Sequence, residues 1–273
     1  MNVRERLIAV ARRLGKLNSS VVYVGGSAVH FLIMEAMVST LRHTEDVDLV
    51  VSATLYHEIQ EFSEQLRQAG FVENREDGVI CRWSVDGMVV DVMPTGEKAF
   101  GFSNRWYDQV VRSSQELEVA PGLRCRFPDL ATFMATKFEA FGDRGGGDYW
   151  GDADFEDITM VLAYGEDVVG TVARAPEEVR LYLASHAQEL LRLPGISDYI
   201  GGCFPDHLGK AATEITLERL RQIEMISSKT PSDLSTDYIR DGCDASSEKR
   251  HMTRPLGGRA FHCSLYGAFP AFS

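Results

Sequence analysis

The chain has 273 residues and a mass of 30.4 kDa, with 44% hydrophobic and 25% charged side chains, a composition that supports a packed core and excludes wholesale disorder. Acidic residues outnumber basic ones 40 to 28, so the net charge of −12 excludes bulk electrostatic coating of nucleic acid and leaves room only for a local patch. The five cysteines are scattered without a C-x-x-C pair, no apolar run reaches the roughly 20 residues of a membrane span, and the charged start Met1-Asn2-Val3-Arg4-Glu5-Arg6 is not a signal peptide, so a reduced, cytoplasmic protein without zinc or membrane contact is expected.

From the N-terminus, Leu7, Val10, Ala11 and Leu14 recur at helical spacing and predict a helix over Val3 to Leu14, ended by Gly15. Val21 to Val24 reads as a short buried strand, cut off by Gly25-Gly26-Ser27. A helix from about Ala28 to Leu41, a strand over Asp46 to Val51, and a helix from Leu55 to Ala69 closed by Gly70 follow. Val79 to Val85 and Met88 to Met93 form a hairpin around Asp86-Gly87, a pair suited to the positive φ of a tight turn, which places the strands at Asp48, Cys81 and Val90 in one sheet.

Strand signals fade after Phe127. Helical patterns take over at Asp129 to Phe141, Asp154 to Ala163, Pro176 to Arg192 and Leu208 to Ile226, so a mixed α/β unit precedes a mostly helical one. Residues 227–273 hold five acidic and six basic side chains without amphipathic periodicity and read as a poorly ordered extension.

Three features of the first hundred residues bear on chemistry. Gly25-Gly26-Ser27, between a strand and a helix, lets backbone N–H groups approach a phosphate at a helix N-terminus, or is an ordinary turn with Ser27 as the helix cap. Asp46 and Asp48 lie two apart on a strand, so both carboxylates leave one face while Val47 and Leu49 leave the other; the pair can chelate one hard cation or sit as a solvated strand end. Asp91 stands inside Met88-Val89-Val90-Asp91-Val92-Met93, where an unpaired carboxylate carries a large desolvation penalty that a shared metal would relieve.

Val24-Gly25-Gly26-Ser27-Ala28, then Arg42-x-Thr44-Glu45-Asp46-Val47-Asp48-Leu49-Val50, then Asp91 resemble the nucleotidyltransferase signature of the DNA polymerase β-like superfamily, in particular its AbiEii-type toxin family. The likeness extends to Lys137 on a helix, Arg144, and Asp154 and Asp157 three apart, and covers about residues 20 to 226.

The resemblance implies an α/β (α+β) fold with a mixed sheet flanked by helices and a helical C-terminal unit. It divides the chain into a catalytic core at 1–120, a helical region at 121–226 that contributes to the active site, and the tail at 227–273. It also implies a Mg²⁺-dependent enzyme, with Mn²⁺ as a substitute, that moves a nucleoside monophosphate from an NTP such as ATP to an acceptor. Asp46, Asp48 and Asp91 would hold the metal, with Asp91 placed to assist deprotonation. Gly25, Gly26 and Ser27 would hold the terminal phosphates, Lys137 would add a cation beside them, and Asp157 would orient Lys137 or the acceptor.

Arg42 and Arg144 are candidates for phosphate or acceptor contacts or for surface ion pairs, Asp154 for a helix cap, and His43 for a substrate contact. His30 and the tryptophans Trp83, Trp106 and Trp150 read as packing residues, while Arg105 and Trp106 offer a cation and a ring that could stack on a base. The role implied is that of a bacterial toxin or phage-defence component with a tRNA or protein acceptor and a cognate antitoxin. Two alternatives stand beside it: a small-molecule nucleotidyltransferase acting on an aminoglycoside-like polycation, and a catalytically silent binding protein on the same fold.

Overall fold

The computed structural model describes residues 1–74, 81–96, 104–143 and 148–226. The features expected at Val79, at Gly101 to Ser103, at Arg144 to Gly147 and over 227–273 lie outside these residues.

Helix α1 (Val3–Leu14) begins at a reciprocal cap. The Glu5 N–H donates to Asn2 Oδ1 and the Asn2 N–H to Glu5 Oε2, each at 2.8 Å, and Gly15 ends the helix at φ +57°. Its Leu7, Val10, Ala11 and Leu14 are buried, as their spacing predicts. Strand β1 (Val21–Val24) and helix α2 (Gly25–Leu32) meet at the glycine pair. The helix is shorter than the apolar run suggested: it ends at Ile33, which bridges to Gly165, and Glu35–Thr40 continues as a 3₁₀ turn.

Strand β2 (Asp46–Val51), helix α3 (Tyr56–Gln68), β3 (Val72–Glu73), β4 (Arg82–Val85) and β5 (Met88–Pro94) complete a mixed five-stranded sheet of order β1-β2-β5-β4-β3. Only β2 and β5 run parallel among its pairs; the others are antiparallel. The β4–β5 turn uses Asp86 at φ +49° and Gly87 at φ +77°, as the tight-turn pair requires. Alternation sorts the sheet's two faces. Val47, Leu49, Val51, Val90 and Val92 join the main core with α1 and α3, while Val22, Val24 and Val50 form a small cluster on the other face with Val110 of α4 (Tyr107–Ser113). Asp46, Asp48 and Asp91 belong to that second, thinly covered face.

The sequence reading passed over α4 and the hairpin of β6 (Gln115–Ala120) and β7 (Leu123–Phe127). The hairpin does alternate in sequence, Leu117 and Val119 against Glu116 and Glu118, and Leu123, Cys125 and Phe127 against Arg124 and Arg126, with Cys125 and Phe127 buried. Helices α5 (Leu130–Asp143), α6 (Ala153–Tyr164), α7 (Val168–Arg174), α8 (Glu177–Arg192), α9 (Ile196–Gly202) and α10 (Asp206–Ile226) follow, the short α7 and α9 again unforeseen. Buried side chains from Leu7 to Ile226 form one continuous cluster, so helices and sheet share a core. Among the described residues, no helix is long and apolar enough to cross a membrane.

Candidate functional site

The register of the sheet assembles the site. Val24 lies opposite Asp48 across β1–β2, Asp48 opposite Asp91 across β2–β5, and Asp91 opposite Arg82 across β5–β4, so these side chains form one row on one face. Asp46 stands two residues along on the same face. Each of Asp46, Asp48 and Asp91 offers a carboxylate oxygen, and the three oxygens lie within 4.8 Å of one another. An all-carboxylate donor set of this size suits a hard divalent cation such as Mg²⁺ or Mn²⁺.

Asp91 is 8% exposed, and its burial has an answer within the protein that the sequence reading did not supply. Arg82 Nε donates to its Oδ1 and Arg82 Nη2 to its Oδ2, each at 2.9 Å, a bidentate pair across neighbouring strands. The desolvation of Asp91 therefore does not by itself require a metal. What calls for an ion is the meeting of three carboxylates with one guanidinium.

The glycine turn packs directly on this row. Gly25 has φ +67°, and a Cβ built on it would fall inside the Asp48 carboxylate; on Gly26 it would lie 2.5 Å from Arg42 Nη2. Gly25 is thus required by its positive φ and by the approach of Asp48, whereas at Gly26 only the movable end of Arg42 would have to shift. Val24 occupies the N-cap position and supplies no side-chain cap, so Ser27 is not the cap; it is fully buried in the first turn, and among the described residues its Oγ has no hydrogen-bond partner. Gly25→Ala is expected to lower Tm by several degrees, a loss of about 2–3 kcal/mol from strain and displacement of Asp48, and to weaken Mg²⁺-induced stabilisation in the same melts.

Across the cleft lies a second, buried set of charges. Lys137 of α5 is 7% exposed, and its Nζ contacts Asp154 Oδ1 at 3.0 Å and Asp157 Oδ2 at 2.6 Å, both carboxylates coming from α6. Arg42 Nη2 reaches the same Asp157 oxygen at 3.1 Å. Burial presses the Lys137 ammonium toward neutrality, but Asp157 and then Asp154 outweigh it and its pKa stands above the ordinary value. Arg42 is held above its usual range by the same balance, chiefly by Asp157 against burial. Asp152, not Asp154, caps α6, accepting from the N–H groups of Asp154 at 2.8 Å and Phe155 at 2.9 Å, and so leaves Asp154 for Lys137.

Gly25, Asp48, Asn104, Tyr107, Lys137 and Asp154 line a cleft of about 100 Å³ between the sheet, α4, α5 and α6. That volume takes a hydrated ion or one phosphate group rather than a nucleotide, whose base and ribose would lie outside it. Asp48 feels the cleft most. Burial and then repulsion by Asp46, partly offset by Lys137, push its carboxyl up to about 7. A folded-state value above the unfolded one means that Asp48 favours folding most strongly below about pH 4, and that this contribution is lost as the pH rises through 7. A divalent cation relieves the repulsion. Mg²⁺ is therefore expected to raise Tm little at pH 5.5 and by several degrees at pH 8, read by thermal denaturation with and without EDTA.

Other expected residues lie farther out. His43 is exposed at the rim of a separate cavity of about 430 Å³ that Arg4, His30 and Arg42 also line. His30 is buried, as read, and burial lowers its pKa below the ordinary value. Trp83 and Trp106 are buried, whereas Trp150 is 58% exposed and is not the packed residue expected. Arg105 does stack on rings, but on the protein's own Trp106 and Tyr182, 4.8 and 4.4 Å from their centroids, and it pairs with Glu139 at 3.0 Å.

No protein-family model matches the chain, and no curated protein matches it. Among solved structures it is similar to the crystal structure of an antigenic nucleotidyltransferase-like protein from Paracoccidioides brasiliensis, at 19% identity and a TM-score of 0.44, over 72% of this chain and 93% of that one.

Proposed function

We propose that the protein is a metal-dependent nucleotidyltransferase, transferring a nucleoside monophosphate from an NTP to an acceptor hydroxyl or phosphate. The observation that carries this reading is the meeting of the Asp46, Asp48 and Asp91 oxygens within 4.8 Å beside the Gly25 turn. A Mg²⁺ or Mn²⁺ ion held by the three carboxylates would stabilise negative charge on the entering and leaving oxygens of phosphoryl transfer.

The remaining roles belong to the chain's own residues. The backbone N–H groups at Gly25, Gly26 and Ser27, at a helix start without a side-chain cap, suit the terminal phosphates. Asp91 would accept the acceptor's proton through a lone pair that Arg82 does not use. Lys137 lines the cleft while bonded to Asp154 and Asp157, so it would act as a fixed cation largely balanced by those carboxylates rather than as a mobile finger. Residues 1–120 would form the catalytic core, and α5 and α6 of the region at 121–226 would complete its cleft.

The acceptor in this reading is tRNA or protein, and the biological role is that of a toxin or defence component with a cognate antitoxin, as the sequence likeness implies. The test is incubation of the full chain with each α-³²P-labelled NTP and Mg²⁺, separately with total tRNA, protein lysate and aminoglycosides. Label on tRNA or protein supports the assignment. Label on the aminoglycoside alone supports the small-molecule reading, and no label in any arm overturns transferase activity.

A further inference from the structure

We propose that Arg82 is a resident counter-ion of the metal site, competing with the divalent cation for Asp91 and thereby setting how tightly the site takes an ion. The inference rests on the metal reading above and concerns a residue to which that reading gave no role in ion binding.

Three carboxylates brought within 4.8 Å repel one another, and one of them, Asp91, is almost wholly withdrawn from water. Arg82 is placed to offset this in two ways. Its side chain is 24% exposed and that of Asp91 11%, so the pair lies where charges are screened less than at the surface. Both Asp91 oxygens are engaged, Oδ1 by Nε and Oδ2 by Nη2, each at 2.9 Å, which fixes the plane of the carboxylate.

The strand register makes this a built arrangement rather than a chance rotamer. Arg82, Asp91 and Asp48 are opposed in one row across β4, β5 and β2, so the guanidinium lies on the far side of Asp91 from Asp48. A cation bound among the carboxylates must share Asp91 with the guanidinium and bear the repulsion of its charge. Fully ionised, the three carboxylates carry three negative charges, of which the guanidinium on Asp91 offsets part.

The experiment measures Mn²⁺ binding to the full chain by electron paramagnetic resonance of the free ion, at pH 8 and without nucleotide. Wild type, Asp48→Asn, Arg82→Gln, Arg82→Met and Arg82→Lys are compared. Removing the guanidinium charge in Arg82→Gln is expected to tighten Mn²⁺ binding by about tenfold, whereas Arg82→Lys, which keeps the charge but not the fork, is expected to stay within about twofold of wild type. Arg82→Met keeps the apolar stem and gives the same reading should the glutamine variant fail to fold.

Binding no tighter than wild type in Arg82→Gln and Arg82→Met overturns the proposal, as does an equal tightening in Arg82→Lys, because charge would then not be the cause. Wild-type protein without Mn²⁺ binding that depends on Asp48 overturns the metal site itself. The Asp48→Asn arm thus separates the two failures.

Discussion

Asp48→Asn is expected to reduce nucleotidyl transfer on the order of 10³-fold or more while making the metal-free protein more stable at pH 8. The two effects have one cause. Asp48 sits against Gly25 and beside Asp46, and its carboxyl is pushed up to about 7 by burial and that repulsion, so ionising it at alkaline pH opposes folding. Asparagine keeps the shape and removes the charge, and the gain is on the order of 1–2 kcal/mol, or a few degrees in Tm, once the water that reaches the cleft is allowed for. Mg²⁺-dependent stabilisation should vanish together with activity. A variant that kept its transfer rate, or that melted well below wild type without metal, would show that Asp48 serves the fold and not an ion.

The second large effect is expected at Lys137. Replacing it with methionine removes the ammonium that the buried Asp154 and Asp157 share, which should cost about 3–5 kcal/mol and lower Tm by about 10 °C. Adding Asp154→Asn removes one of the two stranded charges and leaves the Arg42–Asp157 pair intact, so the double variant should recover at least half of the loss. Circular dichroism melts of the three proteins decide it. Equal Tm values for wild type and Lys137→Met would mean that the lysine is no part of the internal scaffold.

Much of the site could be read from the chain because the strand alternation is strict. The two-residue spacing of Asp46 and Asp48, with Val47 between them and Leu49 after, fixes a shared face, and the structure keeps it. The Asp86-Gly87 turn carried more information than was taken from it. A two-residue turn that sets Val85 opposite Met88 also sets Arg82 opposite Asp91, so the bidentate pair could have been counted out from the turn. An arginine on a strand carries no such partner in its own identity; only the count from the turn supplies it.

The exchange of roles between Asp152 and Asp154 had no such signal. Either aspartate can begin the helix, and only the depth of Lys137 against α6 decides which one turns inward. Likewise the apolar run after Gly25 continues through Val38, so periodicity could not place the break at Ile33, where a tertiary bridge to Gly165 interrupts the helix.

The parallel alignment of β2 with β5 bears on how the molecule assembles during synthesis. The β4–β5 hairpin is a local event, but Asp48 acquires its neighbour Asp91 only when two segments more than one helix apart in the chain close side by side. Until that long closure is made, the chain has no place at which its three acids converge. A nascent or truncated polypeptide lacking Met88–Pro94 lacks Asp91 and with it the three-acid cluster, and a divalent ion taken up there would hold the β2–β5 pairing closed.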